Sequence, residues 1–223
     1  MSQHWSFSAL KSFDNCARRY YEERIARSVV GETHEAAAYG TLVHESIEAH
    51  IKDGAPIPPE FSYVAPVVAS LTKLSGAHHS EYDLSIRMDY SPCASDASDV
   101  WCKGFADFLL VSGDRALVAD FKTGKARYAD LSQLELYALL TFCHFPEVHT
   151  VTGMLLFVKE DVTHQNTVTR AQAADLWLKW IAKLDKIRRA KDFNSWPTNP
   201  SGLCKFCPVR HCVEHPSWKL NRK

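Results

Sequence analysis

Gly104-Phe-Ala-Asp107-Phe-Leu-Leu-Val-Ser112-Gly-Asp-Arg115-Ala-Leu-Val-Ala-Asp120-Phe-Lys122-Thr-Gly124 holds two apolar runs separated by Gly113-Asp114. A Gly-Asp pair between such runs predicts a β-hairpin, because glycine takes the positive φ of a tight turn without steric cost. With the turn centred between residues 113 and 114, facing residues have numbers that sum to 113 + 114 = 227. Asp107 and Asp120 satisfy that sum. They are therefore expected opposite one another on one sheet face, with Cβ atoms ~5 Å apart. Lys122 lies two residues past Asp120, so the pleat puts it on the same face. The neighbours Phe108, Leu109, Leu117, Val118 and Phe121 are apolar, which predicts central, buried strands.

Two ionised carboxylates at that separation repel by ~3 kcal/mol even at an effective dielectric constant of ~20. Lys122 offsets part of this charge, and a divalent cation would offset the rest. Hard oxygen ligands suit Mg²⁺ or Mn²⁺. Such a cation lowers the pKa of bound water and clamps a phosphate, and a nearby lysine can stabilise developing negative charge. The plainer alternative is a structural Asp–Lys ion pair, since any single Asp-x-Lys is ordinary.

Outward from the hairpin, residues 6–27 read as a helix entered through serine caps, and residues 32–52 as a second helix carrying Gly40, His44, Ile47 and Ile51 on one face. Residues 54–59 form a Pro-rich loop, and a short helix covers 64–74. Strand signals begin near Leu84 and strengthen at Trp101. Asp130-Leu-Ser-Gln133 resembles a capping box opening a helix to about Phe142. Strands fit 151–158 and 167–170, and an amphipathic helix over 171–191 places Trp177, Ile181 and Leu184 on its apolar face. No repeat or low-complexity segment is evident. The expected class is α/β, a mixed sheet flanked by helices.

Of the remaining polar residues, His44 is either a satisfied core histidine or a metal ligand. Gln133 and Tyr137, at i and i+4, share a helix face, and their spacing by itself equally describes a polar-to-core boundary. Lys125 and Arg127 could touch phosphates, although solvated loop charges are the commoner outcome, as for the stripe Lys179, Lys183 and Lys186.

The 223 residues carry 26 basic and 26 acidic side chains and are 46% hydrophobic. A sizeable core can form, and there is no bulk positive field of the kind a nucleic-acid coating protein has. The N-terminus does not read as a signal peptide and no apolar run spans a bilayer, so a soluble, cytoplasmic protein is expected. Seven cysteines are present. Cys204, Cys207 and Cys212 crowd near the C-terminus and Cys16 stands alone near the other end, a pattern that points to metal before disulfides in a reducing compartment.

The ordered set of motifs resembles the PD-(D/E)xK nuclease superfamily, in particular its RecB-like branch. The motifs are Ser6-Phe-Ser-Ala-Leu10 followed by Cys16 and Tyr20; Gly40-Thr-Leu-Val-His44; Gly104-Phe-Ala-Asp107; Asp120-Phe-Lys-Thr-Gly124; and Gln133 followed by Tyr137. The resemblance implies a restriction-endonuclease-like core with a catalytic hairpin. It implies His44, Asp107, Asp120 and the Phe121 carbonyl as metal-site groups, Lys122 as the catalytic lysine, and Gln133 and Tyr137 as supports. The implied activity is a Mg²⁺- or Mn²⁺-dependent deoxyribonuclease, an exonuclease acting on single strands or ends of DNA in recombination, repair or mobile-element processes, with a helicase or recombination protein as partner. The alternative is a non-catalytic DNA-binding subunit of the same fold.

Iron–sulfur members, such as AddB-type and CRISPR-adaptation nucleases, use one early and three late cysteines. Cys16, Cys204, Cys207 and Cys212 resemble that layout, implying a four-iron four-sulfur cluster. The cluster would fasten a tail from about residue 196 to the first helix of a single 1–223 nuclease domain. The rival is zinc held by Cys204, Cys207, His211 and His215.

Overall fold

A computed structural model describes residues 4–30 and 35–220, with side chains described as far as residue 218. In chain order the elements are β1 (Trp5–Ser6), α1 (Phe7–Asn15), α2 (Ala17–Tyr20), α3 (Glu35–Asp53), α4 (Ala65–Thr72), β2 (Ala77–Asp83), β3 (Cys102–Lys103), β4 (Phe105–Ser112), β5 (Arg115–Lys122), α5 (Ser132–His144), β6 (Thr150–Phe157), β7 (Val162–Thr169), α6 (Ala173–Asp192) and α7 (Pro216–Leu220). The chain divides into two compact units. One comprises Met1–Trp5 with Glu35–Trp177, the other Ser6–His34 with Leu178–Lys223.

The first unit is built on a five-stranded sheet of order β2-β4-β5-β6-β7. Only β5 and β6 run parallel, and α5 lies between them in sequence, as a parallel connection requires. The β4–β5 hairpin pairs Phe108 with Ala119 and Ser112 with Arg115, the register expected from a turn at Gly113-Asp114. Gly113 takes φ +60 there. The hairpin strands are interior to the sheet, which is why both of their faces are apolar. On one face Phe108, Ala119 and Phe121 pack with Val43 and Ile47 of α3 and Val64, Val68 and Leu71 around α4. On the other, Asp120 meets α5.

The edge strands depart from the sequence reading. β2 ends before Leu84 instead of starting there, and β7 begins at Val162, five residues ahead of the expected Thr167. Edge strands are exposed along one side and tolerate polar residues. His78–Tyr82 and Thr163–Thr167 therefore lack the apolar signal that marks a central strand. The expected capping box at α5 also fails. Asp130 instead accepts from the Ser132 N–H and hydroxyl, and the Gln133 amide is engaged by Asp120 and Tyr137. The helix expected from residue 32 is present from Glu35; positions 31–34 lie outside the described residues.

In the second unit Ser6 caps α1, its hydroxyl accepting from the Ala9 N–H at 3.3 Å. The single helix expected over 6–27 is broken at Cys16, whose φ of −166 and ψ of 110 are extended. A π-helical turn, Tyr21–Ile25, follows α2. Residues 196–199 lie along this helical pair: Arg18 N–H donates to the Pro197 carbonyl at 3.1 Å, the Asn199 amide donates to the Asn15 carbonyl at 2.9 Å, and Trp196 packs against Phe13, Tyr20 and Tyr21. On α6 the buried stripe is Trp180, Ile187 and Ala190, with Leu184 half-buried. Ile181, expected on the apolar face, is exposed, since the stripe starting at Trp180 runs through 184 and 187 and leaves 181 at its margin.

Candidate metal centre

β4, β5, α3 and α5 bring the sequence-chosen residues together. Asp107 and Asp120 each stand one residue from core-facing Phe108 and Phe121, so both leave the core-facing pleat; Asp120 meets α5, whereas Asp107 meets His44 of α3. The Oδ2 of Asp107 accepts the Phe121 N–H at 2.7 Å and lies 3.3 Å from Nδ1 of His44. The Nε2–H of His44 donates to the Phe121 carbonyl at 2.8 Å. α3 places the imidazole there through Gly40, one turn earlier: a Cβ on Gly40 would come within 3.2 Å of the Thr123 hydroxyl. The Gly-Thr-x-x-His spacing is thus a packing requirement against the strand that carries Asp120 and Lys122.

Asp120 is almost fully buried. Its Oδ1 accepts from Gln133 Nε2 at 2.8 Å and from the Tyr137 hydroxyl at 3.0 Å, and Gln133 also donates to that hydroxyl at 2.9 Å. The i, i+4 pair on α5 is therefore a clamp on the carboxylate rather than a helix boundary. Asp120 Oδ2 has no partner in hydrogen-bond geometry, but Nζ of Lys122 stands 2.5 Å away as an ion pair.

The charges are strained in the way the sequence predicts. Burial and then the Asp107 charge raise the pKa of Asp120, while Lys122 and Tyr137 draw it back. Burial, then the charges of Asp120 and Asp107, push the Tyr137 phenol well above its ordinary value, so it stays a donor. For His44 burial opposes the charge, yet the Asp107 carboxylate, Asp120 and the Phe121 carbonyl more than reverse this and raise it to about 9. An imidazolium with both N–H groups donating thus supplies positive charge among the carboxylates. Carboxylates, an imidazole and a strand carbonyl are the donor chemistry of a hard divalent cation, but among the described residues the ligand atoms of His44, Asp107 and Asp120 form no group within 4.8 Å of one another.

Sequence reasoning missed one neighbour. Glu81 of β2 offers a carboxylate oxygen that, with ligand atoms of His44 and Asp107, forms a group lying within 4.8 Å of one another. Burial, then Asp107 and Glu48, raise its pKa. These residues line a groove of about 450 Å³ with Gly40, Thr41, Glu45 and Glu48. Nothing near Glu81 in sequence marks it; only the pairing of β2 with β4 does. Lys125 and Arg127 are exposed on the loop after β5.

A family model described as the PD-(D/E)XK nuclease superfamily matches residues 4–212. The chain belongs to the PD-(D/E)XK nuclease superfamily. The nuclease fold is shared with a crystal structure named "Putative exonuclease" from Eubacterium rectale, at TM-score 0.56 and 14% identity, with 96% of this chain and 91% of that one covered. A second structure, SSO0001, aligns at TM-score 0.42 and 13% identity over 97% of this chain and 88% of its own, too distant to weigh. A comparison with curated proteins finds no match. The matched span of this PD-(D/E)XK nuclease includes Asp107, Asp120 and Lys122.

In the second unit Cys16, Cys204, Cys207 and Cys212 line one cavity of about 60 Å³ with His215. All four are free thiols. Among the described residues they form no group whose ligand atoms lie within 4.8 Å of one another. A single tetrahedral zinc would hold its thiolates about 3.8 Å apart, so the set is wider than one ion requires. His211, wanted by the zinc alternative, uses Nε2 to meet Glu22 at 3.2 Å. Glu22 is buried, and although burial draws its pKa up, Ser28, His211 and Arg18 hold it below its ordinary value.

Proposed function

We propose that the protein is a Mg²⁺- or Mn²⁺-dependent deoxyribonuclease of the RecB-like branch, working as an exonuclease on DNA in recombination, repair or mobile-element processes. The observation that carries this reading is the convergence of His44, Asp107, Asp120, Lys122, Gln133 and Tyr137 on one end of the β4–β5 hairpin. A divalent cation would be held by His44, Asp107, Asp120 and the Phe121 carbonyl, and when bound it supplies Lewis acidity toward a phosphate oxygen and toward attacking water. Gln133 and Tyr137 fix the orientation of Asp120, leaving Oδ2 toward Lys122. The Lys122 ammonium is placed to orient water or to stabilise the negative charge that builds on phosphorus during in-line attack. Lys125 and Arg127 offer exposed charge to backbone phosphates. Cytoplasmic location and a helicase or recombination partner belong to the same reading; no helix among the described residues is long and apolar enough to cross a membrane.

In this reading both units serve one nuclease domain, the family match covering parts of each. Cys16, Cys204, Cys207 and Cys212 hold a four-iron four-sulfur cluster, for which four sulfur donors around one cavity are the fitting chemistry.

The test is degradation of end-labelled single- and double-stranded DNA with Mg²⁺, Mn²⁺ or EDTA. Cation-dependent shortening from an end is expected, with loss of about a hundredfold or more in Lys122→Ala and Asp120→Ala while circular dichroism stays native. A folded parent that binds DNA without cutting it would favour the non-catalytic alternative, and an Asp120→Ala protein as active as the parent would refute the site.

A further inference from the structure

We propose that Glu81 is a further metal-site carboxylate, so that a divalent cation on the groove side of Asp107 is held by His44, Glu81 and Asp107. This rests on the nuclease reading above and adds a ligand that the motif set does not contain. The ligand atoms of the three residues lie within 4.8 Å of one another, a spacing that one ion of 2.0–2.6 Å bond lengths can bridge.

The placement follows from strand register. β2 pairs with β4 so that Ser80 faces Phe108 and Tyr82 faces Ala106. Glu81 therefore falls across from Asp107, and two carboxylates confront each other on neighbouring strands. Like charges directly opposed are destabilising in a sheet. The ladder pairs the residues on either side of this position but not Glu81 with Asp107, and the Glu81 backbone adopts φ +48.

Glu81 also differs from its acidic neighbour. Glu48, on the same groove, has its charge met by Lys52 one helical turn away. Among the described residues Glu81 makes no ion pair with lysine or arginine and accepts no hydrogen bond. A half-buried carboxylate facing a second carboxylate, with the His44 imidazole and the Lys52 ammonium near it but neither in ion-pair contact, is arranged for a cation. The groove gives that cation access to solvent, as an exchangeable ion needs.

The experiment is titration of metal-free protein with Mn²⁺, followed by calorimetry and by the electron paramagnetic resonance signal of free Mn²⁺, for the parent and for Glu81→Gln and Glu81→Asp. Glu81→Gln should weaken Mn²⁺ binding by about tenfold to a hundredfold, with Glu81→Asp between the two. Metal-free Glu81→Gln should melt no lower than the parent, because like-charge repulsion is removed. DNA cleavage by Glu81→Gln should need correspondingly more Mn²⁺ and recover when it is supplied. Parent-like Mn²⁺ affinity in a folded Glu81→Gln protein would overturn the assignment. A parent that binds Mn²⁺, with Glu81→Gln weakened, but that cuts no DNA would uphold the ligand and refute the nuclease reading. A parent that binds no Mn²⁺ would sink both.

Discussion

At the scale of single residues, His44 makes the charge balance of the centre measurable. Its folded pKa of about 9 stands above the unfolded value of ~6.5. A raised pKa means the folded state binds the proton more tightly. The resulting stability is fully present below pH ~6.5 and is lost as pH rises through about 9. In metal-free buffer the parent should therefore out-melt His44→Asn at pH 6.5, and the gap should close by pH 9.5; a gap independent of pH would contradict the charged imidazole. Cation binding must displace the same proton if His44 is a ligand. Affinity for Mn²⁺ should then rise by up to about tenfold per pH unit between ~6.5 and 9, and calorimetry across that range checks it. Removing the phenol of Tyr137 or the amide of Gln133 would act one step further out, through the orientation of Asp120.

At the scale of elements, the β4–β5 hairpin carries the register on which the centre depends. Sliding one strand by a single residue would turn Asp120 away from α5 and put Phe121 in its place. Gly113 pins the turn at φ +60 with nothing within 4 Å of where a Cβ would sit. Alanine there would be strained by its backbone alone, without a clash. Gly113→Ala should thus cost about 1 kcal/mol of stability, seen as a lowered melting temperature. Cleavage per folded molecule should be unchanged, because the strands stay paired. A register slip would instead abolish cation binding, and the two outcomes are separated by the Mn²⁺ titration. α3 and α5 serve the hairpin differently: α3 delivers an imidazole, and α5 delivers two neutral donors to a buried carboxylate.

At the scale of the whole molecule, the proposed cluster would fasten the early and late segments of the chain together. Pro197 and Asn199 already bond to Arg18 and Asn15, which sets the tail beside the helix break at Cys16. A cluster shared by Cys16, Cys204, Cys207 and Cys212 would close a loop of most of the chain. Protein purified without oxygen is expected to be brown, with about four irons per chain for a four-iron cluster. Cys16→Ser should remove the colour and lower the melting temperature while leaving Mn²⁺ binding intact. One equivalent of zinc without iron, in a protein indifferent to Cys16, would select the zinc alternative.

The hairpin register, the facing carboxylates, the Lys122 side and the mixed α/β class were all legible in the sequence. Central strands are apolar on both faces, so the exceptions, Asp107 and Asp120, stand out against them, and a two-residue turn fixes what faces what. That Gln133 and Tyr137 would meet Asp120 was suggested only by the family resemblance, because their spacing suits a helix boundary as well. Tertiary structure alone decided the rest. It broke the first helix at Cys16, where the backbone becomes extended, and it shifted the edge strands, whose polar faces carry no periodic signal. It rotated the buried stripe of α6 onto Trp180. It also brought Glu81 opposite Asp107, because pairing between strands more than twenty residues apart is set by packing of the whole sheet and leaves no mark on the residues beside it.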